Sequence, residues 1–216
     1  MGYCILQKSI FRKFKQMTQP ILTIMIPTTP DRERSFWKLM FELEYQIENN
    51  GFKGMVEIVY LCDNKEISVG RKRQLLLEMA KGDFVVGIDS DDFVHPDYIG
   101  DIVSTLIKNK DNIDHVGFEE DCLINGERSK SIFSIRHQQW DENKDGYDHI
   151  RCANPKSVIR REKALLVGYE DMRFGEDRVF SEAVTPLLVG EVYIDKPLYK
   201  YIHISTDHNE RYGIQQ

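Results

Sequence analysis

Apolar residues follow two rhythms along this chain, one strand-like and one helical. Ile21 to Pro27 is uncharged and rich in β-branched residues, the pattern of a strand buried on both faces. Thr28, Thr29 and Pro30 then turn the chain, with Pro30 suited to a first helical position and Asp31 and Glu33 to a first turn. Phe36, Met40, Leu43 and Ile47 fall on one helical face, and Asn49-Asn50-Gly51 ends that helix. Met55 to Cys62 reads as a second strand, Arg71 to Lys81 as a second helix closed by Gly82, Asp83 to Ile88 as a third strand and Pro96 to Lys108 as a third helix. This alternation predicts an α/β fold with a parallel sheet covered by helices. Ligands in such sheets bind beyond the carboxyl ends of the strands.

The second half changes character. Ile113 to Cys122 and Glu127 to Ile135 flank Asn125-Gly126, a strong hairpin signal. The polar stretch from His137 to His149 predicts a mobile loop. Ser157 to Ile159 predicts a short strand, Arg161 to Val167 and Glu176 to Leu188 predict helices, and Val192 to Ile194 and Leu198 to Ile204 predict two late strands. With no internal repeat and no low-complexity linker, residues 21–210 read as a single domain. Residues 1–20 form a leader in which Lys8, Arg12, Lys13 and Lys15 alternate with Ile5, Leu6, Ile10, Phe11 and Phe14, with no acid among them. That pattern suits an extra helix or a poorly ordered extension, and also a basic amphipathic helix making peripheral contact with a membrane surface or a partner.

Composition narrows the class. Hydrophobic residues make up 41% of the 216 and charged residues 30%, ordinary for a soluble domain. The longest apolar runs are strand-sized and fall short of the roughly 20 residues a transmembrane helix needs. Cys4, Cys62, Cys122 and Cys152 are scattered without a CxxC pair, as expected of reduced thiols in a cytoplasmic protein. The net charge of −6 argues against coating nucleic acid through broad electrostatics, while leaving room for a local basic groove (Arg151, Lys156, Arg160, Arg161, Lys163).

Three features carry chemistry. Asp89-Ser90-Asp91-Asp92 follows the third predicted strand, and carboxylates so crowded repel one another unless a cation or hydrogen-bond network balances them. Oxygen ligands at a strand mouth suit Mg²⁺ or Mn²⁺ bound partly through substrate phosphates; capping of the next helix by Asp92 is the plainer alternative. Arg71, Lys72 and Arg73 open a helix, where the dipole disfavours cations, so an anion such as a diphosphate is expected beside them. Gly175-Glu176-Asp177 opens a later helix. Asp63, just past the second strand, suits either a base N–H or a cap, and His203 and His208 lie beyond a late strand, within range of a metal or in surface roles. There is no GxGxxG, P-loop, GxSxG or HExxH.

Taken together these segments resemble glycosyltransferase family 2, the compact stand-alone type of bacteria and bacteriophages. The resemblance spans roughly residues 21–204: Ile24-Met25-Ile26-Pro27-Thr28, the run from Lys72-Arg73-Gln74 through Ala80-Lys81-Gly82-Asp83 to Ile88-Asp89-Ser90-Asp91-Asp92, then Gly175-Glu176-Asp177 and Pro197-Leu198-Tyr199-Lys200-Tyr201. Gln74 stands where the family usually has Asn. The resemblance implies a GT-A fold, a Rossmann-like mostly parallel sheet flanked by helices with a smaller mixed or antiparallel acceptor-side sheet. Residues 21–110 would then bind the nucleotide-sugar, a UDP-sugar foremost, and 111–210 the acceptor. Thr28 and Asp63 would contact the nucleoside, Arg73 the diphosphate, and Asp89 the ribose or the metal site. Asp91 would bind Mg²⁺ or Mn²⁺, with Asp89 and His203 as further candidate ligands. Asp177 would be the general base of an inverting transfer, with Glu176 beside it. The acceptor stays open among a glycan, a protein side chain and a hydroxymethylated base in phage DNA. Other readings are a sugar nucleotidyltransferase, which would need a glycine-rich loop where Pro27-Thr28-Thr29-Pro30 stands, or a non-catalytic nucleotide-sugar-binding protein.

Overall fold

The computed structural model describes residues 19–203; residues 1–18 of the leader and His208 lie outside them. β1 (Leu22–Thr28) is buried along its whole length between β2 (Val56–Cys62) and β3 (Phe84–Gly87), both parallel to it, with Ile24 opposite Ile58 and Val86. A central strand covered on both faces needs an unbroken apolar run, which is what the sequence supplies. Its one early polar side chain is satisfied: Thr23 Oγ1 donates to Glu57 Oε2 (2.8 Å) and accepts from the Gly82 N–H (2.8 Å).

Helices cover both faces. α1 (Glu33–Asn49) and α3 (Tyr98–Asn109) bury Leu43, Ile99, Ile102 and Val103 against Ile24 and Val86, while α2 (Val69–Met79), α4 (Arg161–Val167) and α5 (Glu176–Val184) bury Leu76, Leu77, Ala164 and Phe180 against Met25 and Val85. Alternate residues of one strand thus feed two separate cores. α1 stops where expected, with Gly51 in the left-handed region (φ 71°) that a helix-terminating residue adopts. The helix predicted to reach Leu188 ends as α5 at Val184, where Pro186 brings in a short 3₁₀ turn (Thr185–Leu187). Among the described residues no helix is long and apolar enough to cross a membrane.

The strands of the second half join the parallel half in one ten-stranded mixed sheet. β5 (His115–Ile124) and β6 (Glu127–Phe133) form the predicted hairpin, with Asn125 (φ 52°) and Gly126 (φ 87°) both left-handed as a two-residue turn of that hand requires. β9 (Val158–Arg160) runs antiparallel to both β3 and β5 and ties the halves together. The segment expected to be a mobile loop is in large part a second hairpin, β7 (Asp141–Lys144) and β8 (Tyr147–Arg151), with Asp145 (φ 55°) and Gly146 (φ 85°) at its tip. Its polar composition fits a sheet edge facing water, and Asp-Gly was the overlooked turn signal. The two predicted late strands are one, β10 (Glu191–His203), running parallel to β5 with register shifts around Pro197, whose missing N–H interrupts the ladder without ending it. The two-residue β4 (Phe93–Val94) pairs with β10 and was not foreseen.

Candidate active site

β1, β2 and β3 end on the same side of the sheet, and beyond them lies a cleft of about 520 Å³. Thr28, Arg73, Asp89, Asp91, Glu176, Asp177 and His203 all line it; Asp63 does not. Residues some 100 positions apart meet there because the segment before α5 is fastened to the start of α2. Ser68 Oγ caps α2 by accepting from the Arg71 N–H (3.0 Å) and donates to Asp171 Oδ1, while the Gly70 N–H donates to the Met172 carbonyl (3.0 Å). Gly70 is required at this crossing, since a Cβ there would lie 1.9 Å from the Glu170 carbonyl oxygen.

The cations at the start of α2 meet their anions within the chain. Lys72 is buried; its Nζ donates to the Thr28 carbonyl (2.9 Å) and pairs with Asp63. Asp63 also accepts from the Ile67 N–H (3.0 Å), so it caps its own loop and serves Lys72. Arg73 is buried and bridges two carboxylates, Asp89 (2.7 Å) and Glu176 (3.1 Å). The conflict with the helix dipole is therefore answered by Asp63, Asp89 and Glu176, where the sequence alone suggested a substrate anion. Only Arg71 of the three points to solvent.

The three acidic residues after β3 occupy three different environments. Burial works against ionisation of Asp89, but Arg73, Lys156 and Arg32 outweigh it and hold the carboxyl below its usual range. Asp91 is half-exposed, facing Arg32 (2.9 Å); burial raises it, with Arg32 opposing and Asp89 adding. Asp92 is buried and pushed up to about 7, by burial first and by Asp89 and Asp91 as well, against the pull of Lys156. It accepts a hydrogen bond from Tyr199 (2.7 Å), whose hydroxyl in turn accepts from the Asp89 N–H (3.1 Å). Asp92 caps no helix, since the residue before α3 is Asp97. Lys156 completes the network beneath, 3.0 Å from Glu120 and 3.4 Å from Asp92.

Asp177 sits in the first turn of α5, behind Gly175 in the left-handed region (φ 82°). One of its oxygens accepts from the Arg178 N–H (2.8 Å), and no cation pairs with it among the described residues. Neighbouring Glu176 is buried and raised by that burial despite Arg73. His203 stacks on Tyr201 (6.0 Å between centroids, 5° between planes). Arg32, Lys65, Arg173 and the exposed Phe174 also line the cleft, and sequence reasoning did not single them out. Arg32 and Lys65 follow β1 and β2 closely, the only local signal; Arg173 is brought in by the fastening of its loop.

A divalent cation fits this arrangement only with help from a ligand. Among the described residues no three His, Cys, Asp or Glu side chains converge to hold a metal. Asp91 is a half-exposed carboxylate of the cleft, and Mg²⁺ in phosphate sites commonly takes one or two carboxylates, substrate phosphate oxygens and water. Asp89 is committed to Arg73.

Comparison with known proteins places the chain. No curated protein sequence matches it. Among solved structures, S. aureus TarS 1-349 superposes with a TM-score of 0.57 at 14% identity, over 84% of this chain and 60% of that one. TarS 1-349 in complex with UDP-GlcNAc gives 0.58 at 14% identity, over 88% and 60%. The complex with UDP gives 0.56 at 14%, over 84% and 60%. The chain thus spans about three-fifths of the length of these structures, and likeness at this identity establishes a shared GT-A-like α/β fold. The sequence pattern of glycosyl transferase family 2 matches residues 52–165, from the turn before β2 through β3 and the Asp89–Asp92 cluster to α4. With more than half of its length carrying that pattern on this fold, the chain belongs to glycosyl transferase family 2.

Proposed function

We propose that this chain transfers a sugar from a nucleoside-diphosphate sugar, a UDP-sugar foremost, to an acceptor hydroxyl with inversion at the anomeric carbon. The observation carrying the reading is that Asp91, at the mouth of β3, and Asp177, which has no ion pair among the described residues, line one cleft together with Arg32, Lys65 and Arg173. TarS, of like fold, has been seen with UDP-GlcNAc and with UDP, which supports the choice of donor.

In this reading the nucleoside lies against Thr28, whose buried Oγ1 has no partner among the described residues and is available to it. Arg173, together with Arg32 and Lys65, whose pairs with Asp91 (2.9 Å) and Asp31 (2.9 Å) are solvent-exposed and open to exchange, faces the diphosphate, with Arg73 behind Asp89. Asp91 would hold Mg²⁺ or Mn²⁺ against the phosphate oxygens; such an ion, when bound, supplies neutralising charge to the leaving group. Asp177 accepts the proton of the acceptor hydroxyl as its oxygen forms the bond to the anomeric carbon. The bond from that carbon to the phosphate oxygen breaks on the opposite side, and its electron pair leaves with the nucleoside diphosphate. Arg73 holds Glu176, and through it the start of α5, in place.

The test pairs binding with turnover. Calorimetry with UDP, with and without Mn²⁺, should show micromolar-range binding strengthened by the metal. Asp177→Asn should keep UDP affinity within two-fold while cutting transfer, or donor hydrolysis with water in the acceptor's place, by roughly 10²–10⁴-fold. Near-normal turnover in that variant would remove Asp177 from the role.

A further inference from the structure

A second cavity, of about 260 Å³, opens beside the donor cleft and shares Asp89, Asp177 and Tyr201 with it. Its lining includes one face of the acceptor-side sheet, with Glu120 and Cys122 from β5, Ser131 from β6 and Arg151 from β8. Trp140, between β6 and β7, completes a wall; its indole Nε1 is buried and has no hydrogen-bond partner among the described residues. A buried donor left unpaired costs roughly 1–3 kcal/mol, so an orphan beside a cavity marks a position for a ligand acceptor atom.

We propose that this cavity receives the acceptor, and that the acceptor is a single sugar ring without a charged substituent, presenting one hydroxyl to Asp177 and an oxygen to Trp140 Nε1. The inference rests on Asp177 being the base. Size and charge select the class. The volume falls below the roughly 300–1,000 Å³ of sites for drug-sized ligands, which suits one ring, whereas a serine or threonine side chain would leave most of it empty. Among the described residues each cation lining the cavity already pairs with a carboxylate, Arg151 and His149 sharing one. Lys156 is held by Glu120 (3.0 Å) and Asp92 (3.4 Å), and Glu142 takes both Arg151 (2.8 Å) and His149 (2.5 Å). Asp177 is the lining acid without an ion pair among the described residues, and its charge is negative. A phosphate or uronate would meet that carboxylate with no unpaired cation among the described lining residues to hold it. Duplex DNA needs free cations to neutralise phosphates; of the other basic residues in this half, Arg160 is paired with Asp114 (2.6 Å), and Arg161 and Lys163 do not line the cavity.

The experiment uses the full chain and p-nitrophenyl glycosides of neutral sugars. p-Nitrophenyl glucuronide, a sugar 6-phosphate and a hydroxymethylated DNA duplex serve as competing classes. Saturation-transfer NMR reads binding of each, with and without UDP and Mn²⁺, while calorimetry follows UDP separately. The expected result is that at least one neutral glycoside binds through its ring protons and the charged classes do not. Trp140→Ala should weaken that binding at least ten-fold with UDP affinity unchanged. Trp140→Phe, which keeps an aromatic wall and risks the fold less, should weaken it roughly five-fold through loss of the N–H. Preference for the glucuronide, the phosphate or the duplex, absence of binding by all neutral glycosides, or unchanged binding in both variants would each overturn the proposal. A lack of UDP binding would instead sink the donor assignment, and the glycoside spectra recorded without UDP would still be readable.

Discussion

Replacing Arg73 by methionine probes the joint on which the cleft depends. The guanidinium is 6% exposed and lies between Asp89 (2.7 Å) and Glu176 (3.1 Å). Methionine fills most of the aliphatic stem, so the perturbation is chiefly electrostatic: two carboxylates lose their shared cation. Breaking a buried pair by removing one partner costs roughly 3–5 kcal/mol, because the remaining charge is left uncompensated. For a chain of this size that corresponds to a fall in Tm of roughly 6–20 °C. The pH dependence separates this cause from lost packing. In the native protein Asp89 is depressed, so its contribution is present above the unfolded pKa of about 3.9 and lost as pH falls through the lower folded value. Without Arg73, only Lys156 and Arg32 oppose the burial of Asp89, so its pKa moves up, and Glu176 rises further; both then ionise at higher pH in the folded variant than in the folded parent. The variant consequently gains stability, relative to the parent, as pH is lowered from 7.5 to 5. Urea unfolding followed by tryptophan fluorescence at both pH values measures this gap, and Arg73→Lys, which keeps charge but cannot bridge as a planar fork, should fall between. A loss below about 1 kcal/mol at pH 7.5, or a gap of the same size at pH 5, would refute the reasoning.

Two further outcomes can be checked with the same unfolding assay. Gly70→Ala, which sets a methyl 1.9 Å from the Glu170 carbonyl oxygen, should destabilise by roughly 1–3 kcal/mol or more and weaken UDP binding by displacing the segment that leads to Asp177. Glu191 is opposed by burial but held below its usual range by His115 (2.8 Å), the Ile135 N–H and Ser134, so it stabilises above the unfolded value of about 4.3 and ceases to as pH falls through its lower folded value. Glu191→Gln should cost roughly 1–3 kcal/mol at neutral pH and flatten the decline in stability between pH 5 and 3; an unchanged acid limb would count against it.

Much of the site was readable because its signals are local. Asp89 to Asp92 follow an apolar run that could only be a buried strand, and a parallel sheet delivers such residues to one edge. Gly175-Glu176-Asp177 was readable as a helix start, and the two were joined in one cleft by family resemblance rather than by pattern. What misled was also local. The stretch from residue 137 to 149 was read by its polarity, although a sheet edge facing water tolerates the same composition, and the two late strands expected at 192–194 and 198–204 are one that merely shifts register around Pro197.

The alternation of the three parallel strands with helices, the buried central strand and the strand-mouth carboxylates were dictated by sequence, because periodicity and turn chemistry act between neighbours. Which charges meet was decided only by tertiary structure. Nothing along the chain says that Arg73 reaches across 103 positions to Glu176, that Lys156 lies under Asp92 or that Trp140 walls a cavity beside Asp177. A buried charge is stable only beside its counterpart, and the packing of distant segments alone determines which counterpart that is.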